Sequence, residues 1–136
     1  MPMTGTMAVD RAQSNVVHCL RKRMTFAVPG TTVVMTVGII PKGACVVGGG
    51  VQIITLFNDS GTDTIDVGTS GDVDEYGTLL DATAVGFKVL DELATHDGHS
   101  ETADVTVVAR YNGQNANATT GVADIIVLFT HSKNVA

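Results

Sequence analysis

The chain has 136 residues, of which 44% are hydrophobic and only 16% charged, with 15 Gly, no Trp and a formal net charge of −6. Twenty Val and eighteen Thr form more than a quarter of it. That excludes a disordered segment, which is poor in β-branched residues, and a helix bundle, which needs Ala, Glu, Lys, Leu and Arg instead. No apolar run is long enough for a membrane-spanning helix, and the first fifteen residues lack the basic start and apolar stretch of a signal peptide.

The charge is unevenly placed. Residues 1–57 carry Arg11, Arg21, Lys22, Arg23 and Lys42 against Asp10, for +4; residues 58–136 carry three bases against thirteen acids, for −10. An acidic total with few clustered bases argues against nucleic acid as a partner. The length fits one domain.

Residues 1–15 show no hydrophobic period and read as an N-terminal arm. The single β-sandwich domain is expected over 16–131, followed by a tail at 132–136. From Val16 to Val28 the even positions (Val16, His18, Leu20, Lys22, Met24, Phe26, Val28) are mostly apolar, the period-two signature of a half-buried strand. Pro29-Gly30 ends it. A second strand is expected over Thr31–Ile40, with Val33, Met35, Val37 and Ile39 on one face. Ala44–Phe57 is a third, interrupted by Gly48-Gly49-Gly50, which predict a bulge, a bend or a close backbone approach.

Asn58-Asp59-Ser60-Gly61 is a turn leading to a strand at Asp63–Thr69, with Ile65 and Val67 inward. Residues 70–84 fit strands poorly and predict an irregular connection with a helical turn near Asp74–Leu80. Three further strands are expected at Val85–Leu93, Ala103–Tyr111 and Val122–Thr130, the last nearly continuous in apolar residues and therefore central. With no βαβ alternation, the fold class is all-β: a two-sheet antiparallel sandwich of jelly-roll (Greek-key) topology with about eight strands.

The motifs that could carry chemistry are thin. His96 and His99 lie in a polar loop, His18 and His131 are metal ligands only by type, and a catalytic zinc or iron site needs three convergent protein ligands. Asp72-Val73-Asp74-Glu75-Tyr76-Gly77 resembles the start of a calcium loop but lacks the Glu at position 12, where Thr83 stands. Cys19 and Cys45 read as buried free thiols, a cross-strand bridge staying open. The one basic run, Arg21-Lys22-Arg23, lacks an aromatic platform for single-stranded nucleic acid. It reads either as a solvated strand face or as an ion-pairing contact with an acidic neighbour. No cofactor site, catalytic set or small-molecule site is expected.

The stretch from Ile39-Ile40-Pro41-Lys42-Gly43-Ala44 through Val51-Gln52-Ile53-Ile54-Thr55-Leu56-Phe57-Asn58-Asp59-Ser60-Gly61 to Ile65-Asp66-Val67-Gly68 resembles a pattern in small virion proteins of tailed phages. There, a strand ending in an aromatic residue turns through Asn-Asp-Ser-Gly into a strand ending in Val-Gly. The strands around Tyr111-Asn112-Gly113 and Phe129 fit as well, so the resemblance spans roughly residues 38–130. With this size and composition, the chain looks most like the capsid cement or decoration proteins, especially those of Bordetella-type phages.

The resemblance implies a jelly roll on the capsid exterior, made in the host cytoplasm, that bridges neighbouring major capsid subunits as a homodimer. The expected contact residues are Arg11, Arg21, Lys22 and Arg23, together with the arm. The competing readings are a tail or fibre adaptor, a glycan-binding sandwich and a metal-dependent jelly-roll enzyme.

Overall fold

In the computed structural model, residues 16–27, 34–94, 102–113 and 118–130 are described. The arm with Arg11, the His96 and His99 loop, His131 and the tail lie outside the described residues. Eight strands follow one another: β1 Val17–Thr25, β2 Val34–Ile40, β3 Cys45–Thr55, β4 Asp63–Thr69, β5 Gly77–Asp81, β6 Gly86–Val89, β7 Val105–Gly113 and β8 Val122–Thr130. They form two four-stranded sheets, ordered β1-β8-β3-β6 and β2-β7-β4-β5, with every neighbouring pair antiparallel. This wrapping of strands into two sheets is the jelly-roll sandwich that the strand pattern predicts.

The core lies between the sheets. One sheet contributes Met24, Val46, Val51, Ile53, Ala123, Ile125, Val127 and Phe129; the other contributes Ile40, Ile65, Val67, Leu80, Val107, Ala109 and Tyr111. Alternation along β7 and β8 puts every second residue inward, as a pleated strand requires. Burying each large aliphatic side chain stabilises the fold by roughly 1.5–3 kcal/mol. Phe57 and Tyr76, both fully buried, extend the core beyond the strands.

Local irregularities change four of the expectations. A register shift between Thr36 and Gly38 inserts Val37 as an extra residue, so the phase of β2 reverses. Ile40 is then fully buried and Ile39 is 62% exposed, where the unbroken alternation puts Ile39 inward.

Residues 77–81, expected to fall in an irregular connection with a helical turn, form strand β5 against β4. Leu79 there has a φ of 50° and the pairing slips between Ile65 and Val67, which hides the period-two signal. The expected long strand at Val85–Leu93 shrinks to the four residues of β6, because the chain leaves the sheet to reach Tyr76, whose carbonyl accepts the Glu92 N–H.

The thiols are the fourth. Cys19 is exposed and Cys45 half-buried, not buried as expected, and both are free. They stand on β1 and β3, with β8 between them. Two strand spacings come to about 10 Å, beyond the reach of a disulfide.

The three glycines stay inside β3, as a bulge and a close approach together. The ladder with β8 skips Val47, which is exposed. Gly49 has a φ of +124°, and a Cβ there would drive into the Ile126 carbonyl. The ring of Phe87 lies over Gly50, its Cζ only 2.6 Å from where a Cβ would sit.

Candidate interaction face

Directly opposed residues in an antiparallel ladder share a face, so the registers assign the outward side of the β1-β8-β3-β6 sheet. Its first row is Arg23, Asp124, Gln52 and Phe87; its second is Arg21, Ile126, Gly50 and Val89. The third is Cys19, Leu128 and Gly48, and the fourth Val17, Thr130 and Cys45. Phe87 is 48% and Val89 63% exposed, and Ile126 and Leu128 are half-buried. Because Gly48 and Gly50 add no side chains, β3 is low in the second and third rows, where Ile126, Leu128 and Val89 are apolar.

The β1 edge of the same face is basic. Arg21 Nη2 and Nε donate to Asp124 Oδ2 at 2.5 and 3.2 Å, and Arg23 Nε donates to Asp124 Oδ1 at 2.8 Å. Asp124 is nearly inaccessible, with its side chain 3% exposed, whereas the two arginine side chains are 63% and 58% exposed. The Arg23 hydrogen bond, opposed by burial and helped by Arg21, holds the Asp124 carboxyl down at about 2. One carboxylate therefore anchors two cations, which leaves a surplus positive charge at the surface. Lys22 projects from the other side of β1, in the row of Ile125, Val51 and Lys88.

The structure thus brings Arg21 and Arg23 together and separates Lys22 from them; Arg11 lies outside the described residues. Sequence reasoning missed Asp124, the residue that organises the pair. The signal was an isolated acid inside the apolar run Val122–Thr130, since a buried charge in a central strand needs a partner.

The opposite outward face, on the β2-β7-β4-β5 sheet, is built differently. Asp66, with a side chain 1% exposed, accepts from Arg110 Nη2 at 2.7 Å, from Asn112 Nδ2 at 2.9 Å and from the Leu79 N–H at 2.7 Å. The turn at residues 72–75 lies over Gly68 and leaves no room for a side chain there. Every residue of β4 is buried as a result.

Within that turn Asp72 shares a hydrogen bond with Asp74, which raises the Asp72 pKa above the usual carboxylate range. Asp74 also accepts from Thr78 Oγ1 at 3.3 Å. Among the described residues, no three His, Cys, Asp or Glu side chains converge to hold a metal ion.

A third polar group closes one end of the sandwich. Tyr111 Oη donates to Asp63 Oδ1 at 2.5 Å, and both side chains are buried. Burial raises the Asp63 carboxyl above its ordinary range, although the Tyr111 hydrogen bond opposes the shift. Asn58 ties two loops together, its Oδ1 accepting from the Thr119 and Thr120 N–H groups at 2.7 and 3.0 Å. His18 stacks on Phe129, ring centroids 5.3 Å apart.

Two solved structures share this architecture. A chain in the acid-stable capsid structure of Helicobacter pylori bacteriophage KHP30 superposes with a TM-score of 0.65 at 20% identity, covering 86% of this chain and 89% of that one. A chain in the capsid asymmetric unit of cyanophage Pam1 superposes with a TM-score of 0.62 at 18% identity, covering 87% and 86%. At that identity the likeness is one of fold. No protein-family model matches the chain, and no curated protein sequence matches it.

Proposed function

We propose that this chain is a structural component of a phage virion that binds the outside of an assembled capsid and bridges neighbouring major capsid subunits as a homodimer. The observation that carries the reading is the jelly roll itself, shared over most of its length with chains of two phage capsids. The chemistry suits a clamp: a rigid two-sheet body and a basic edge whose arginines are held in place by a buried carboxylate. Arg21 and Arg23, with Lys22 and Arg11 as further contacts, supply charge steering toward an acidic capsid surface.

Simultaneous engagement of two subunits raises apparent affinity by about 10²–10⁴ without any new contact type. Binding only the assembled shell stabilises it in proportion to occupancy. The test is a head-binding assay: purified chain is mixed with assembled heads lacking it, or with unassembled capsid subunits, and sedimented. The reading expects saturable binding to heads at a fixed stoichiometry and none to free subunits. Absence of binding to heads overturns it.

A further inference from the structure

We infer that the outer edge of β1 receives an extended acidic segment of the capsid subunit, added as a fifth strand to the β1-β8-β3-β6 sheet. The inference rests on the proposed function and deepens it by naming the mode of contact and the chemistry of the partner. It stands on the backbone of β1, on the contrast among the four sheet edges, and on charge.

The backbone sets the template. Among the described residues β1 ends its sheet, and its pairing with β8 runs from Val17 opposite Thr130 to Thr25 opposite Val122 without a register shift. Just past that ladder the Phe26 N–H donates to the Gly121 carbonyl at 3.0 Å. In an antiparallel ladder alternate residues exchange both bonds with the partner strand. Met24, Lys22, Leu20 and His18 therefore bond to β8, while Val17, Cys19, Arg21 and Arg23 turn their N–H and C=O groups to the open side. All four of these residues are exposed. The strand is nonetheless fixed in place. Met24 is fully buried, and Leu20 Cδ2 lies only 2.9 Å from where a Cβ on Gly38 would sit. An incoming strand thus meets a preformed row of donors and acceptors.

The other three edges are blunted. β6 has only four residues. β5 carries the left-handed Leu79 and a slipped register, and β2 is bulged at Val37. Shortness and bulges are what discourage strand addition at a sheet edge. β1, with nine residues and an unbroken register, has neither.

Charge selects the occupant. Arg21, Lys22 and Arg23 put three cations on this edge, and both arginines share the single carboxylate of Asp124. Each arginine donates to it from Nε and Nη2, which leaves Nη1 for another acceptor. A second copy is a poor occupant, because antiparallel pairing of two β1 strands over their full length sets Arg21 against Arg21 and gathers both basic runs. Like charges directly opposed are destabilising, and opposite charges stabilise. In an acidic strand, carboxylates two residues apart fall opposite Arg21 and Arg23 on the outward face, and one between them falls on the side of Lys22. The charges that repel a second copy therefore favour an acidic partner, which makes the edge selective.

Hydrogen–deuterium exchange of the full chain, free and bound to assembled heads that lack it, reads this edge directly. The Val17, Cys19, Arg21 and Arg23 amides are expected to exchange fast in the free chain and about 10-fold or more slowly on heads, as a new strand hydrogen bond requires. Two variants separate backbone from charge. Cys19→Pro removes one outward N–H and leaves the bonds to β8 and every charge in place; it should weaken head binding about 10-fold. Lys22→Glu reverses a charge without touching the Asp124 group, and should weaken binding about 10-fold or more. Ile39→Glu, on the β2 edge, should leave binding unchanged. Thermal unfolding verifies that each variant is folded, and if Cys19→Pro is not, amide exchange on heads decides alone.

Heads that bind the chain while the β1 amides stay fast overturn the inference and leave the proposed function standing. So does loss of binding in Lys22→Glu with a folded Cys19→Pro that binds like wild type, since that marks a side-chain contact without strand addition. No binding of wild type to heads sinks the proposed function and this inference with it.

Discussion

The two outward faces of the sandwich solve the same electrostatic problem in different ways. Each has a nearly inaccessible aspartate on an interior strand, bound by arginine from the neighbouring strand: Asp66 with Arg110, and Asp124 with Arg21 and Arg23. On the first face the group is completed by Asn112 and the Leu79 N–H, and the turn at residues 72–75 covers the strand beside it. On the second, two arginines serve one carboxylate, both stay more than half exposed, and Phe87, Val89, Ile126 and Leu128 beside them are apolar. A closed polar group holds a fold together. An open one with surplus charge, beside glycines and an exposed phenylalanine, is a surface suited to a neighbour.

That contrast can be broken most severely at Arg110. Arg110→Ala leaves the Asp66 charge buried with only neutral donors, and is expected to lower stability by about 3 kcal/mol, the low end for a broken buried pair because the arginine is partly open to water. Urea unfolding should show a lower midpoint at unchanged slope.

Gly49→Ala comes next. Its positive φ and the Ile126 carbonyl leave no place for a methyl group, so a loss of about 1–3 kcal/mol is expected in the same assay.

Asp124→Asn should be milder than Arg110→Ala, about 1.5 kcal/mol, because the arginines it releases are already solvated and only charge-assisted hydrogen bonds are lost. If Asp124→Asn proved as damaging as Arg110→Ala, the distinction between a closed and an open group would fail.

The same variant has a pH signature. The folded-state pKa of Asp124 is depressed to about 2, below the unfolded value of about 3.9. Its contribution to stability is therefore complete above pH 4 and lost as pH falls from about 4 toward 2. Stability measured across that window should fall less steeply in Asp124→Asn than in wild type.

Asp63 has the opposite sign. Its folded-state pKa is raised by burial, so the fold favours its protonated form and loses that advantage as pH rises through the folded-state value. Asp63→Asn, which can still accept from Tyr111, should be slightly more stable than wild type at neutral pH and indistinguishable from it in acid. This is the smallest effect of the set, and thermal unfolding at the two pH values reads it.

Much of the fold was legible because the pattern was strong where the strands are central. The run Val122–Thr130 is apolar nearly throughout, and it forms β8, paired on both sides. Val105, Val107, Ala109 and Tyr111 alternate cleanly, and they form the inward side of β7.

What escaped was local and non-periodic. One extra residue at Val37 exchanges Ile39 and Ile40, and nothing in the composition of that strand marks it. Strand β5 carries a left-handed Leu79 and a slipped register, so its five residues look irregular. Cys19 lies in an apolar stretch but on the outward side of an edge strand, in the row of Leu128 and Gly48.

The candidate site was half legible. The basic run stood out, but it was the pairing of β1 with β8 that brought residues about a hundred positions apart into contact around Asp124. The alternation of β1 already separated Lys22 from its two neighbours. The apolar face was not legible as a face, because Phe87, Gly50, Ile126 and Leu128 come from three strands whose order only the topology supplies.

The most direct measurement of the central claim is co-sedimentation of the purified chain with assembled heads that lack it. The account predicts that the chain saturates the heads at a fixed ratio to the major capsid protein while ignoring unassembled subunits. Wild-type protein that remains in the supernatant, or that binds free subunits as well as heads, would contradict it.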